Sequence, residues 1–141
     1  MHKENNFNCA TAALKLEERA LEWVICPDWR TPPIESIKNL ASDFGLKARV
    51  INTPDVPLEK GEWVVVFWGF YARNCYDPDD YSGGMWNCVP NQFHFGYLSE
   101  NGKWMERIGV GEPLVEFDLA QKISLFHTIR LEPNFFAVKA K

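Results

Sequence analysis

The sequence predicts an α+β domain in which two N-terminal helices precede a mostly antiparallel sheet. Apolar residues recur at helical spacing in the first third of the chain. A nearly continuous apolar run, Trp63–Tyr71, is typical of a central strand that is covered on both faces. Further on, Asn101 and Gly102 stand between two short apolar segments, which predicts a hairpin. The 141 residues fit one domain, residues 1–141.

The first predicted helix runs from Cys9 to about Trp23. Asn8 is a favourable N-cap, and the residues after it have high helix propensity. The apolar positions of this segment repeat with the period of one helix face, which indicates a helix packed on a core: Cys9, Ala13, Leu16, Ala20 and Trp23.

The second predicted helix covers about Ile34 to Phe44 and ends at Gly45. The segment from Ala72 to Gln92 is rich in Asn, Asp, Gly and Pro, and a loop of this length is often functional. The remaining predicted elements are the strands Ala48–Ile51, Trp63–Tyr71, Phe93–Ser99, Lys103–Ile108 and Phe135–Lys139 and a helix over Phe117–Phe126.

The charge distribution excludes several classes of partner. Fifteen basic and 19 acidic residues give a net charge of −4, with no basic block. Nucleic acids and anionic membrane surfaces both require a positive footprint, so neither is expected as a partner. The longest apolar run is far shorter than the ~20 residues of a membrane-spanning helix.

The N-terminal sequence and the cysteines suggest synthesis in a reducing cytoplasm. The segment before Phe7 is polar, so no signal peptide is expected, although export by another route stays open. None of the four cysteines forms a C-x-x-C pair, which argues against a zinc ribbon or a thioredoxin motif. Asp77, Asp79 and Asp80 lack the spacing of a calcium-binding EF-hand loop. We therefore expect neither a metal nor a cofactor.

Cys9 is the candidate nucleophile. A thiol attacks as its thiolate, and the N-terminus of a helix next to a histidine favours that form. Cys9 stands in the first turn of the first helix, and the three residues that follow it are small. The alternative is that Cys9 is a buried apolar residue, which is the usual role of a free cysteine.

His94 is the candidate general base because it lies within an apolar strand, where a titratable side chain is unusual. A catalytic triad needs a third residue, which would orient the His94 imidazole from a neighbouring strand. If residues 100–102 form a three-residue hairpin loop, Glu106 lies opposite Gly96, on the face of His94. Gly96 has no side chain to obstruct the path between them. A two-residue turn would instead place His94 and Glu106 on opposite faces.

These segments resemble the NlpC-type and CHAP-type branches of the papain-like thiol hydrolases. The sequence Asn8-Cys9-Ala10-Thr11 looks like their Asn/Asp-Cys-small-small helix start, and the strand that begins with His94 resembles their histidine strand. The matching segments cover about a fifth of the chain. Two features depart from the family: the interval between Cys9 and His94 is long, and alanine follows the cysteine.

The resemblance implies a papain-like fold, with Cys9 on a helix and with His94 and Glu106 on adjacent strands. It implies that Cys9 attacks the carbonyl of an amide bond through a thioester intermediate. Asn5, Asn6, Asn91 and Gln92 are candidate oxyanion donors beside the backbone N–H of Cys9, and Trp86 is the candidate substrate contact.

The expected substrate is a protein, a peptide, a peptidoglycan stem or a glutamine side chain, because peptidases, cell-wall amidases and deamidases share this triad. The small size also suits a bacterial or phage effector or toxin, for which an inhibitor or immunity protein is a further expected partner.

Two other interpretations stay open. The chain can be a catalytically inactive papain-like domain that serves as a protein-binding module. A buried Cys9 thiol, or a His94 turned away from it, would favour that alternative. It can also be an unrelated α+β domain in which both residues are structural, which separate locations of Cys9 and His94 would indicate.

Overall fold

A computed structural model describes residues 8–17, 27, 31–69, 93–109 and 111–141. These residues form an α+β fold whose single sheet is antiparallel at every described pairing. The helices are α1 (Cys9–Ala13), α2 (Pro33–Asp43) and α3 (Leu119–His127), and the strands are β1 (Leu46–Ile51), β2 (Trp63–Gly69), β3 (Phe93–Leu98), β4 (Trp104–Arg107), β5 (Leu114–Glu116) and β6 (Pro133–Ala140).

The six strands are arranged in the order β1-β6-β2-β3-β4-β5. The C-terminal strand β6 therefore lies in the interior, where it pairs with both β1 and β2. Every predicted helix and strand is present. Where the chain is described, the observed ends lie within two residues of the predicted ends, except at the end of the first helix. Strand β5 was not predicted, because its three residues are all exposed and carry no alternating pattern.

The hairpin register agrees with the three-residue loop. Tyr97 pairs with Met105 and Leu98 pairs with Trp104, which puts Glu106 opposite Gly96. Gly102 has φ 83, the left-handed conformation that this loop requires. Antiparallel pairing in this register places His94 and Glu106 on the same face of the sheet.

The first helix is shorter than predicted. Asn8 caps it as expected, because its Oδ1 accepts a hydrogen bond from the Thr11 N–H at 3.0 Å. The helix ends at Ala13, however, and Lys15 takes a left-handed conformation with φ 57. The prediction that the helix continues is therefore wrong for residues 14–17, and residues 18–23 lie outside the described part of the chain.

The two faces of the sheet carry separate apolar clusters. The first face contacts α1 and α2, and the second contacts α3. Side chains alternate along a strand, so Val65 and Phe67 of β2 belong to the first face and Val66 and Trp68 belong to the second. The buried core of the first face is Cys9, Ala10, Ala13, Leu14, Leu16, Ile37, Leu40, Ala41, Leu46, Val65, Phe67, Phe95, Phe136 and Val138.

Candidate functional site: a buried histidine–glutamate–lysine cluster

His94 and Glu106 form a buried hydrogen-bonded pair. The His94 Nε2 lies 2.6 Å from the Glu106 Oε1, and the two residues are 8% and 3% exposed. The pair joins β3 to β4 at the position that the hairpin register sets. Gly96, which lies between them on this face, leaves room that the Phe117 ring fills. The predicted association of His94 with Glu106 is thus present in the structure.

Lys122 completes the cluster from α3. Its Nζ lies 2.9 Å from the Glu106 Oε2, so each carboxylate oxygen of Glu106 has its own partner. The Lys122 ammonium also lies 5.5 Å from the centre of the Phe117 ring. A buried carboxylate is tolerated only when it is paired and hydrogen-bonded, and these two partners meet that requirement. The cluster therefore ties α3 to the β3–β4 hairpin.

Burial lowers the pKa of His94 below its usual 6.5, although the Glu106 carboxylate acts in the opposite direction. The imidazole is accordingly neutral at pH 7. Its Nε2–H donates to Glu106, and Nδ1 carries the lone pair. A neutral histidine held in this tautomer can accept a proton at Nδ1, as a general base does.

The stability of the domain is expected to fall as the pH drops below about 6.5. The unfolded chain binds a proton at His94 near that pH, whereas the folded chain, with its lower pKa, binds it only at more acidic pH. The slope continues down to the folded pKa and is at most about 1.4 kcal/mol per pH unit for one proton. Urea denaturation of wild type and His94→Gln between pH 7.5 and pH 5 measures it. Equal slopes in the two proteins over that window would contradict the assignment to His94.

Cys9 lies on the opposite face of the sheet from this cluster. It is 8% exposed and belongs to the apolar core of the first face, which includes Phe95 and has Phe93 packed against it. His94, between those two phenylalanines, points to the second face. There its ring centre lies 6.1 Å from that of Trp68 and 5.6 Å from that of Phe126.

The structure therefore brings His94 and Glu106 together, but it does not bring Cys9 to them. The role of Cys9 as a nucleophile stays a prediction. The predicted oxyanion donors Asn6 and Gln92 and the predicted substrate contact Trp86 lie outside the described residues. Within the described ranges, no group of three or more His, Cys, Asp or Glu side chains is arranged to hold a metal ion.

Neither Lys122 nor Trp68 was predicted as a member of this site. Lys122 lies on the helical stripe formed by Leu119, Ile123 and Phe126, which pack on the second face. A lysine on an apolar stripe is a signal for a buried carboxylate partner. Trp68 is fully buried, and no residue in the described part of the chain accepts a hydrogen bond from its indole N–H.

The chain matches no protein-family model, no curated protein and no solved structure in the comparisons made. Among the helices of the described residues, none is long and apolar enough to span a membrane.

Proposed function

We propose that this chain is a protein-binding module, built on an α+β core in which the Cys9 thiol and the His94 imidazole do not form a catalytic pair. One observation carries the proposal: the sheet lies between Cys9 and His94. A general base must come within about 2.6–3.2 Å of the proton that it removes, directly or through one water. A histidine on one face of a sheet cannot meet that condition for a thiol buried on the other.

The surroundings of Cys9 support the same proposal. The Cys9 side chain is 8% exposed and lies in a cluster with apolar residues of α1, β2 and β3, so a substrate carbonyl has little access to its sulfur. On the other face, both oxygens of Glu106 are occupied by His94 and Lys122. The structural role of that cluster, which holds α3 on the β3–β4 hairpin, is enough to explain it without a catalytic step.

A cysteine hydrolase is the second candidate, and the His94–Glu106 hydrogen bond favours it. Glu106 binds Nε2 and leaves Nδ1 to receive a proton, as the base of a thiol hydrolase requires. In that mechanism the Cys9 thiolate attacks the carbonyl of an amide bond, the C–N bond breaks, and the amine leaves with a proton from the His94 imidazolium. Water then hydrolyses the resulting thioester and regenerates the thiol. This candidate requires the Cys9 sulfur within hydrogen-bond reach of Nδ1.

Alkylation of Cys9 distinguishes the two candidates. In a variant that carries Cys26→Ser, Cys75→Ser and Cys88→Ser, Cys9 is the remaining cysteine, and mass spectrometry follows its reaction with iodoacetamide from pH 5 to pH 9. For a binding module we expect slow labelling at low pH, no faster than that of the chain unfolded in guanidinium. We also expect His94→Gln to leave the pH profile unchanged.

Rapid labelling at pH 5 to 6 that disappears in His94→Gln would contradict the binding-module proposal. That result requires a thiolate–imidazolium pair and would establish the hydrolase candidate as the one to test with amide substrates.

A further inference from the structure

A groove lies at the end of the sheet that is remote from His94. Its volume is about 860 Å³, within the range of ligand-binding clefts. Three segments of the described chain contribute to its walls: the turn after α1, the start of β2 with the residues before it, and the β3–β4 hairpin. The described lining residues include Lys15, Glu62, Trp63, Tyr97 and Glu100.

Lys15 occupies a backbone position that favours glycine. The Leu16 N–H donates to the Thr11 carbonyl at 2.9 Å and the Lys15 N–H donates to the Ala12 carbonyl at 3.4 Å. These two hydrogen bonds define a Schellman motif, whose left-handed residue is usually glycine. An L-residue with φ 57 is strained there relative to glycine.

The Lys15 side chain extends over Trp63. Its ammonium lies 4.4 Å from the centre of the indole ring, within the range of a cation–π contact. The Trp63 Nε1–H in turn donates to the Ala13 carbonyl at 2.8 Å, which fixes the ring across the groove. Trp63 and Tyr97 are both half-buried, so they offer a rigid aromatic surface to a ligand.

The charges in the groove favour a ligand with one negative group. Arg49 donates two 2.8 Å hydrogen bonds to Glu62, which lower the pKa of that carboxyl to about 2. Glu62 therefore stays ionised, and the Arg49 guanidinium balances its charge. Lys15 has no ion pair with any described residue, and its ammonium is available. Among the described lining residues, Glu100 of the hairpin loop is the other carboxylate and would repel additional negative charge.

From these observations we infer that the groove binds an extended peptide segment in which a single acidic side chain contacts Lys15 and neighbouring apolar side chains pack on Trp63 and Tyr97. This binding site rests on the proposed function of a protein-binding module. It adds the surface that binds the partner and the chemistry of the bound segment. Glu100 disfavours a run of acidic residues. An isolated acidic residue between apolar ones matches both the Lys15 ammonium and the aromatic surface of Trp63 and Tyr97.

Titration of the ¹⁵N-labelled full chain with two blocked pentapeptides tests the inference. The first has the sequence Gly-Leu-Glu-Phe-Gly, and the second has Gln in place of Glu. We expect saturable shifts of the Trp63 indole N–H and of the amides of residues 99–101 with the first peptide. Its affinity is expected to exceed that of the second by about threefold to fivefold, as one exposed ion pair provides.

Two variants separate a specific site from general attraction. Lys15→Gly places the favoured residue in the left-handed position, so the fold is retained, and we expect the preference for Glu over Gln to disappear. Lys38→Ala, at an exposed position of α2, removes the same charge elsewhere and is expected to keep that preference.

Several results would overturn the inference: no saturable shift with either peptide up to millimolar concentration, equal affinity for both peptides, or an unchanged preference in Lys15→Gly. Its failure is distinguishable from that of the proposed function. Rapid His94-dependent labelling of Cys9 overturns the proposed function alone, whereas saturable peptide shifts confined to residues outside the groove overturn the groove alone.

Discussion

Glu106→Gln is expected to lower the free energy of unfolding by about 3 kcal/mol. The substitution keeps the shape of the side chain but removes the charge that Lys122 and His94 both contact. The Lys122 ammonium would then remain largely buried without a counter-charge, and this penalty dominates the expected effect. Urea denaturation at pH 7.5, followed by tryptophan fluorescence, measures it as a lower midpoint at an unchanged m-value.

Glu132→Gln is a matched control for that variant. The Glu132 Oε1 lies 2.6 Å from the His127 Nδ1, the same separation as in the buried pair, but the two side chains are 65% and 72% exposed. An exposed pair contributes little because water screens it, so we expect a change of about 0.5 kcal/mol or less. Equal destabilisation by the two glutamine substitutions would show that burial does not determine the role of Glu106.

The hairpin could be predicted in detail because its determinants are local. Gly102 supplies the left-handed residue of the loop, and that choice fixes which residues of the two strands face each other. The contact between His94 and Glu106 follows directly from that register. Short-range backbone chemistry thus predicted one half of the candidate site.

The position of Cys9 could not be predicted in the same way. Helical periodicity identifies the residues that share one face of α1, but it does not state which face of the sheet the helix covers. That choice depends on contacts between distant segments, such as Ala13 with the indole of Trp63. The early end of α1 could not be predicted either, because the left-handed residue that ends a helix is usually glycine and position 15 is a lysine.

Phe95→Ala is expected to cost about 4 kcal/mol and to expose Cys9. Phe95 is fully buried on the first face, with its ring centre 4.8 Å from that of Phe67 and 6.0 Å from that of Phe93. The five-residue α1 is too short to be stable alone, so its position depends on this surface. Loss of the ring should therefore release α1 and speed the alkylation of Cys9 at pH 8 in the variant that lacks the other three cysteines.

Phe126→Ala is the control on the second face. Phe126 packs against Trp68 and His94, with ring centres 4.9 Å and 5.6 Å away, and it does not belong to the cluster that holds Cys9. We expect it to destabilise the domain while leaving the labelling of Cys9 slow under conditions where the protein stays folded. If Phe126→Ala speeds the labelling as much as Phe95→Ala, or if the faster labelling in Phe95→Ala depends on His94, the separation of Cys9 and His94 by the sheet is wrong. The opposite result is slow labelling in Phe126→Ala and fast, His94-independent labelling in Phe95→Ala. It would show that Cys9 is a packing residue of the first face, as the binding-module proposal requires.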